Sequence, residues 1–405
     1  MSEWKEYKMS DLIDDISMGP FGSNIKVDCF VGQGVPVLNG SNLVGFKLCE
    51  KSFNYVTKDK ADSLGHSNAY RGDVIVTHRG TLGQIAYIPY DSKYERYVIS
   101  QSQFRFSCKK ELVNIVFLVY YFHSREGQFK LLSNASQVGV PALARPTSTF
   151  KEIHIKLPPM EEQKRIAGVL SSLDDKIDLL NRENATLEAI AETLFRHYFI
   201  ENPDPTWKEM PVSYYGKVIC GKTPSKKNEE YYGGEVPFIK IPDMHGNTYV
   251  FNSEDTLSEK GKESQKEKTL PKGSIMVSCI ATVGLVSMNA IEAQTNQQIN
   301  SVVPNDEQYR FYLYCWFKSM YDELNTMASG GTATLNLNTG DFSRIGITLP
   351  DDDAIKEFHL QVKPIFAKIR SNQQQMQTLT IQRDTLLPRL MSGEVKISGQ
   401  YNIGK

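Results

Sequence analysis

LPPMEEQKRIAGVLSSLDDKIDLLNRENATLEAIAETLFRHYF, residues 157–199, decides how the rest of the chain is read. From Ile166, apolar side chains recur at alternating steps of four and three: Ile166, Leu170, Leu173, Ile177, Leu180, then Leu187, Ala191, Leu194 and Tyr198. Only Asn184 interrupts this seam. A period of 3.5 places these side chains on one helical stripe that must bury against another helix. Pro158 and Pro159 end what precedes, because proline cannot continue a ladder or a helix interior. About 33 residues at 1.5 Å each make a rod of roughly 50 Å. Asn184 is either a tolerated polar break or a register-setting buried amide, the latter being the common use of a single polar residue in such a seam.

The partner helix lies in the same chain. Shifting the first rod by 192 residues returns the seam as Phe358, Val362, Ile365, Ile369, Asn372, Met376, Leu379, Leu386 and Leu390. At that shift Leu157-Pro158 falls on Leu349-Pro350, and Thr193-Leu194 on Thr385-Leu386. Matches at one constant shift define an internal repeat. Arg383 takes a seam position, and Pro364 requires the second helix to start or bend there.

The repeat extends outward from the rods. Trp4-Lys5-Glu6 recurs as Trp207-Lys208-Glu209, and YRGDVIVTHRGTLGQIAYI (Tyr70 to Ile88) lies over LPKGSIMVSCIATVGLVSM (Leu270 to Met288). Both copies pass from a β-branched or apolar run through a turn glycine, Gly83 or Gly284, a strand–turn–strand signal. Polar amide clusters follow at Ser100 to Gln103 and Asn296 to Gln298, then a short helical pattern (Ile115 to Phe129; Phe311 to Leu324) and a small-residue loop. The expected architecture is α+β, with two mixed α/β domains and a pair of long antiparallel coiled-coil helices in a pseudo-twofold repeat. The segments are a first domain (1–156), a central helix (157–200), a second domain (201–348), a distal helix (349–393) and a tail (394–405).

At 405 residues, 40% hydrophobic and 23% charged, the chain has the composition of a soluble globular protein with real cores. Its start, MSEWKEYKMSDL, carries no secretory signal, and the longest apolar run, Leu112 to Phe122, is too short to span a bilayer. Six scattered cysteines without a CxxC pair point to reduced thiols in the cytoplasm and against structural zinc. Net charge is −1; residues 1–156 hold 19 basic against 15 acidic side chains, and residues 201–348 hold 14 against 18. Neither domain is a polycation, so any DNA contact must be neutralised locally or by a partner.

Gly216 to Thr223 fits the phosphate-loop pattern G-x4-G-K-[ST]. That loop needs a buried strand before it and a helix after it. PVSYY is a poor buried strand and Pro224 to Asn228 read as a loop, so coincidence is the better reading. No string has the form of a methyltransferase's catalytic loop, and the seven histidines form no i,i+4 pair. His78-Arg79, beside Gly80 and Thr81 after a strand, could reach a guanine or a phosphate, or be a solvated turn. Planar amides suit base edges, although any single one reads more readily as a plain surface amide. The candidate DNA-contacting residues are thus Asn39, Ser41, Asn42, His78, Arg79, Thr81, Gln101 and Gln103 in the first domain. In the second they are Lys226, Lys227, Lys240, Ser278, Thr282, Asn296, Gln297 and Thr332.

The pattern as a whole resembles the specificity subunit of type I restriction–modification systems. The resemblance rests on LPPMEEQKRIAGVLSSLDDKI, TLEAIAETLFRHYF, RDTLLPRLMSGE and two domain openings, GPFGSN (19–24) and GKTPSKKNEEYYGGEVPFI (221–239). It covers nearly the whole chain. It implies a non-catalytic subunit that reads a bipartite site in double-stranded DNA, one domain per half-site. It also implies methyltransferase subunits docked on the helices and motor–nuclease subunits beyond them, with S-adenosylmethionine, ATP and Mg on those partners and none here. LPDDDAIKEF lacks the Glu-Glu-Gln of the first rod, which puts the equivalence of the two docking surfaces in doubt. A competing reading is a helix-rod scaffold that organises proteins without touching DNA.

Overall fold

The computed structural model describes residues 4–136, 139–329 and 335–397. The chain divides into two compact units, Met1–Asp175 with Thr380–Lys405, and Lys176–Leu379. Two helices run through this division: α1, Met160–Arg196, and α2, Asp352–Met391. Each unit therefore holds one domain and a piece of both helices, whereas the sequence suggested whole helices as separate segments.

In the first unit the strands Ile13–Met18, Gln103–Cys108, Val74–Thr77 and Ile85–Tyr87 form an antiparallel sheet in that order. All four residues of Val74–Thr77 are buried, because both faces of the strand are covered. Val74 and Val76 face one apolar cluster with Phe104, Phe106, Leu118 and Phe122, while Ile75 faces another with Ala86 and Ile88. A strand buried on both sides is mainly apolar, with the Thr77 hydroxyl bonded to Gln84 Oε1, and β-branched residues suit its pleat. A second sheet orders Asn54–Val56, Val35–Val37, Arg96–Val98 and Asn68–Tyr70. Lys5–Lys8 pairs antiparallel with His154–Leu157, tying the start of the domain to its exit.

The second unit repeats the plan. Gly216–Cys220, Ile299–Pro304, Ile275–Ser278 and Val286–Asn289 are antiparallel neighbours, and Tyr249–Val250 adds a parallel edge. Thr256–Leu257, Tyr232–Ile239 and Gln294–Thr295 form the second sheet, and Lys208–Pro211 pairs with Gly346–Leu349. The helical pattern after each sheet splits into two helices, Ile115–His123 with Arg125–Leu131, and Tyr309–Ser319 with Tyr321–Ala328. In the first copy the break falls at Ser124, whose hydroxyl accepts from Gly127 N at 3.2 Å.

The helix segments pack antiparallel within each unit. Ile166, Ala167 and Leu170 of α1 share the first unit's core with Leu387, Leu390 and Met391 of α2. In the second unit Ala191, Phe195 and Phe199 meet Phe358, Val362, Phe366 and Ile369. The buried line on α1 thus passes through Phe195 and continues to Phe199 in the π turn His197–Glu201, one residue beyond Leu194 and Tyr198, which are only partly covered, as are Leu187 and Ile365. A helix of 3.6 residues per turn drifts off a strict heptad, and the domain's aromatic core takes up the residues that rotate inward. Leu173, Ile177, Leu379 and Leu386 are half-buried. Pro364 neither starts nor ends α2; it stands exposed inside it, where water can satisfy the carbonyl that lost its donor. Among the described residues no helix is long and apolar enough to cross a membrane.

Polar layers interrupt the apolar seam. In the second unit the Asn372 amide donates to the Asn184 side-chain oxygen and to Glu183, both at 2.9 Å. In the first, Arg383 Nη1 lies 2.7 Å from Asp174 Oδ1, and the Tyr120 hydroxyl donates to the other Asp174 oxygen. The guanidinium also lies over Phe46, 5.1 Å from the ring centre. Burial, reinforced by Asp174, pushes the Tyr120 phenol far up, so it stays a donor. At the repeat-related positions stand Phe366 and Ala191, so the second unit has an apolar layer there.

Gln163, the last of the Glu-Glu-Gln string, is internal as well. Its side chain accepts from Asn114 N at 2.9 Å and donates to the Leu112 and Pro158 carbonyls at 3.1 and 2.9 Å. The position 192 residues on is buried Ile355. The missing Gln in the second rod is therefore a change of packing rather than of an outer surface.

Arg383→Met should destabilise the protein by about 3 kcal/mol, because it strands a buried carboxylate. Asp174→Leu with Arg383→Met should recover most of that loss in a thermal melt. A single variant that melts like the parent would contradict the assignment of this ion pair.

Candidate nucleic-acid interface

Four segments converge at one end of the central strand in each unit, and backbone hydrogen bonds place them alike. His78 N donates to Ser102 O at 2.9 Å, and Cys279 N to Gln298 O at 2.8 Å. Leu143 N donates to His78 O and Leu337 N to Cys279 O, at 2.8 and 2.9 Å. Gly80 N reaches Pro141 O at 2.9 Å, as Ala281 N reaches Leu335 O at 3.0 Å. Gly19 N reaches Gln103 O at 2.8 Å, as Gly221 N reaches Ile299 O at 3.1 Å. The strand-end turn, the amide cluster, the domain's opening loop and the segment at Pro141 to Leu143 or Leu335 to Leu337 thus form one face.

Glycine is required where the opening loop crosses the amide cluster. A Cβ on Gly19 would stand 1.9 Å from Ser100 O, and one on Gly221 2.1 Å from Asn296 O. The second crossing is the glycine of the apparent phosphate loop. Gly216–Cys220 is a strand there and no helix follows Thr223 directly, so its backbone amides serve the sheet and not a phosphate cradle. In the strand-end turn Gly80 sits at φ +91° and its counterpart Ala281 at φ +64°. An alanine held left-handed costs about 1 kcal/mol, and such strain collects at working turns.

The candidate residues separate by burial. Asn39, Ser41, Arg79, Thr81 and Gln101 are exposed in the first unit, as are Lys226, Lys227, Thr282 and Gln297 in the second. His78 is half-buried; its Nε2 lies 3.2 Å from the Gln101 carbonyl and must donate there, while burial holds its pKa below the usual histidine range. Arg79, Gln101 and His78 line an open cleft of 600 Å³ with Gly19 to Gly22. Lys226 and Lys227 have no ion-pair partner among the described residues.

Five candidates do other work. Asn42 is 1% exposed and bonds to the Asn39 amide and to the Cys49 and Ser52 carbonyls. Gln103 is fully buried and accepts from Ser100 N at 3.1 Å. Buried Ser278 accepts from Leu285 N at 2.9 Å, and buried Asn296 closes its own turn through Gln298. Asn42, Ser278 and Asn296 spend their polar atoms on internal bonds, and Gln103, whose Nε2 has no partner among the described residues, is closed off by burial, which leaves these four little to offer DNA. Lys240 is held in an ion pair with Asp255. Thr332 lies outside the described residues.

The sequence reading passed over two residues on this face. Phe21 is 84% exposed at the tip of the first opening loop, a large apolar side chain set between Pro20 and Gly22. Thr223 occupies the matching loop of the second unit, and its hydroxyl donates to Gln297 Oε1 at 2.7 Å.

Residues 1–189 and 205–380 each match the family described as type I restriction modification DNA specificity domain. The specificity subunit of the type I restriction enzyme HindI from Haemophilus influenzae is 32% identical, over 98% of this chain and 100% of that one. The MjaIX specificity subunit of Methanocaldococcus jannaschii is 25% identical over 98% of this chain and 94% of its own. In three dimensions the fold is that of the type I system S subunit from M. genitalium, with a TM-score of 0.59 at 16% identity over 96% of both chains. The chain belongs to the type I restriction–modification DNA specificity family. It is a specificity subunit carrying two DNA specificity domains, and a subunit of this class is non-catalytic.

If Lys226 and Lys227 meet phosphates, Lys226→Ala with Lys227→Ala should weaken duplex binding across sequences. The slope of log K against log[salt] should fall by about 2 in magnitude. Titration of the assembled complex at several salt concentrations measures it; an unchanged slope would remove both lysines from the phosphate contacts.

Proposed function

We propose that each unit lays its four-segment face against one half of a bipartite double-stranded DNA site, so that one chain specifies two unlike half-sites. The observation that carries this reading is the repeat of one hydrogen-bonded frame with different side chains on it. The frame fixes where a base edge is met; the side chains decide which base is accepted. The helices offer outer surfaces for modification subunits, which would bring S-adenosylmethionine and adenine methylation. Motor–nuclease subunits would bring ATP, Mg and cleavage.

Exchanging residues 1–156 for the first domain of another family member tests the reading in cells that also express the modification subunits. One half of the methylated motif should change and the other half should stay. A swap that alters both halves, or neither, would overturn independent reading.

A further inference from the structure

Gln101 and Gln297 occupy the same place in the two frames. Each follows the residue whose carbonyl abuts the crossing glycine, Ser100 against Gly19 and Asn296 against Gly221. Each precedes the residue whose carbonyl receives the strand-end amide, Ser102 from His78 and Gln298 from Cys279. Both are exposed, on turns locked by backbone bonds. The turns are alike, but the amides are not in the same state.

In the first unit the Gln101 side-chain amide has no hydrogen-bond partner among the described residues. It therefore presents a donor and an acceptor together, the pair that matches N7 and N6 of adenine. Phe21 lines the same two clefts as Gln101. The loop that carries it is tied to the sheet at its start by Gly19 N on Gln103 O and closed into a turn by Asn24 N on Phe21 O, both at 2.8 Å. It is also pressed close, since a Cβ on Gly22 would lie 2.2 Å from Gln101 Oε1. An exposed phenyl beside an amide offers apolar contact to a thymine methyl. Both chemistries select an A·T pair.

In the second unit the position matching Phe21 is Thr223, and its hydroxyl occupies Gln297 Oε1. One of the two lone pairs of Gln297 Oε1 is then taken, while both hydrogens of its NH2 stay available, so this amide is biased towards donating. Such a donor suits the O6 and N7 acceptors of guanine, and the engaged oxygen is a poorer partner for the N6 donor of adenine. Exposed Lys222, next to Thr223, adds a second donor of the same kind.

Resting on the proposed function, we infer that Gln101 with Phe21 reads an A·T pair in one half-site, while Thr223 turns Gln297 into a guanine reader in the other. Thr223 is a positioning residue here: it acts through the amide it holds.

The test uses the full chain assembled with its modification subunits and a library of duplexes randomised across both half-sites. Gln101→Ala should cut the preference for A·T at one position of one half-site roughly tenfold, and Phe21→Ala should weaken the same position. Phe21→Leu, which keeps an apolar tip, should retain most of it. Thr223→Val frees the Gln297 oxygen and should admit adenine at one guanine position of the other half-site, while Thr223→Ser keeps the parent preference. In each variant the untouched half-site reports that the complex is folded. If the parent selects a bipartite motif and every variant keeps the same base preferences, merely binding more weakly overall, this inference falls and the functional reading stands. If the parent selects no motif, the functional reading itself falls.

Discussion

Neither unit closes its core with its own domain alone. The first needs Leu387, Leu390 and Met391 near the end of α2, laid against Ile166, Ala167 and Leu170 near the start of α1. The second needs the aromatic layer where Phe195 and Phe199 meet Phe358. Each domain is seated on a two-helix platform, and the strand that leaves it, His154–Leu157 or Gly346–Leu349, is pinned to the strand that enters. Antiparallel pairing of helix segments is thus the condition on which both sheets, and the loops at their ends, are held in place.

The platform is not symmetric in its chemistry. The Asp174–Arg383 pair, with Tyr120 donating from the domain, is a layer whose repeat-related positions are Phe366 and Ala191. Asn184 and Asn372 face each other, while the positions related to them by the repeat are Met376 and Leu180. A buried amide or ion pair is satisfied in one register only, whereas apolar layers tolerate sliding. The polar layers thereby distinguish otherwise similar helices and specify which segments pair.

Much of this was legible in the sequence because it follows from periodicity. A 3.5-residue seam repeated at a shift of 192, and apolar strands broken by Gly83 and Gly284, imply paired rods and two copies of a mixed domain without reference to detail. The site was less legible, since an asparagine or glutamine at a strand end looks the same whether its amide faces water or closes a turn. Gln101 and Gln103 differ by two residues, yet one is exposed and the other fully buried. Phe21 was overlooked because a search for base-reading chemistry favours polar side chains. Thr223 was hidden inside a phosphate-loop pattern, whose glycine proves to be a crossing point of two backbones. Seam positions past Ala191 on the first helix slipped by one because the helix follows its own period rather than the heptad.

One frame with two sets of side chains is economical for recognition: the geometry is solved once and only the chemistry on it varies. The central claim is that this chain alone dictates a motif of two unlike halves. Mapping of methylated adenines across the genome of cells carrying this chain with its modification subunits tests that claim most directly. The account predicts one motif made of two short, different half-sites divided by a fixed run of unread bases; a single contiguous motif, or two identical halves, would contradict it.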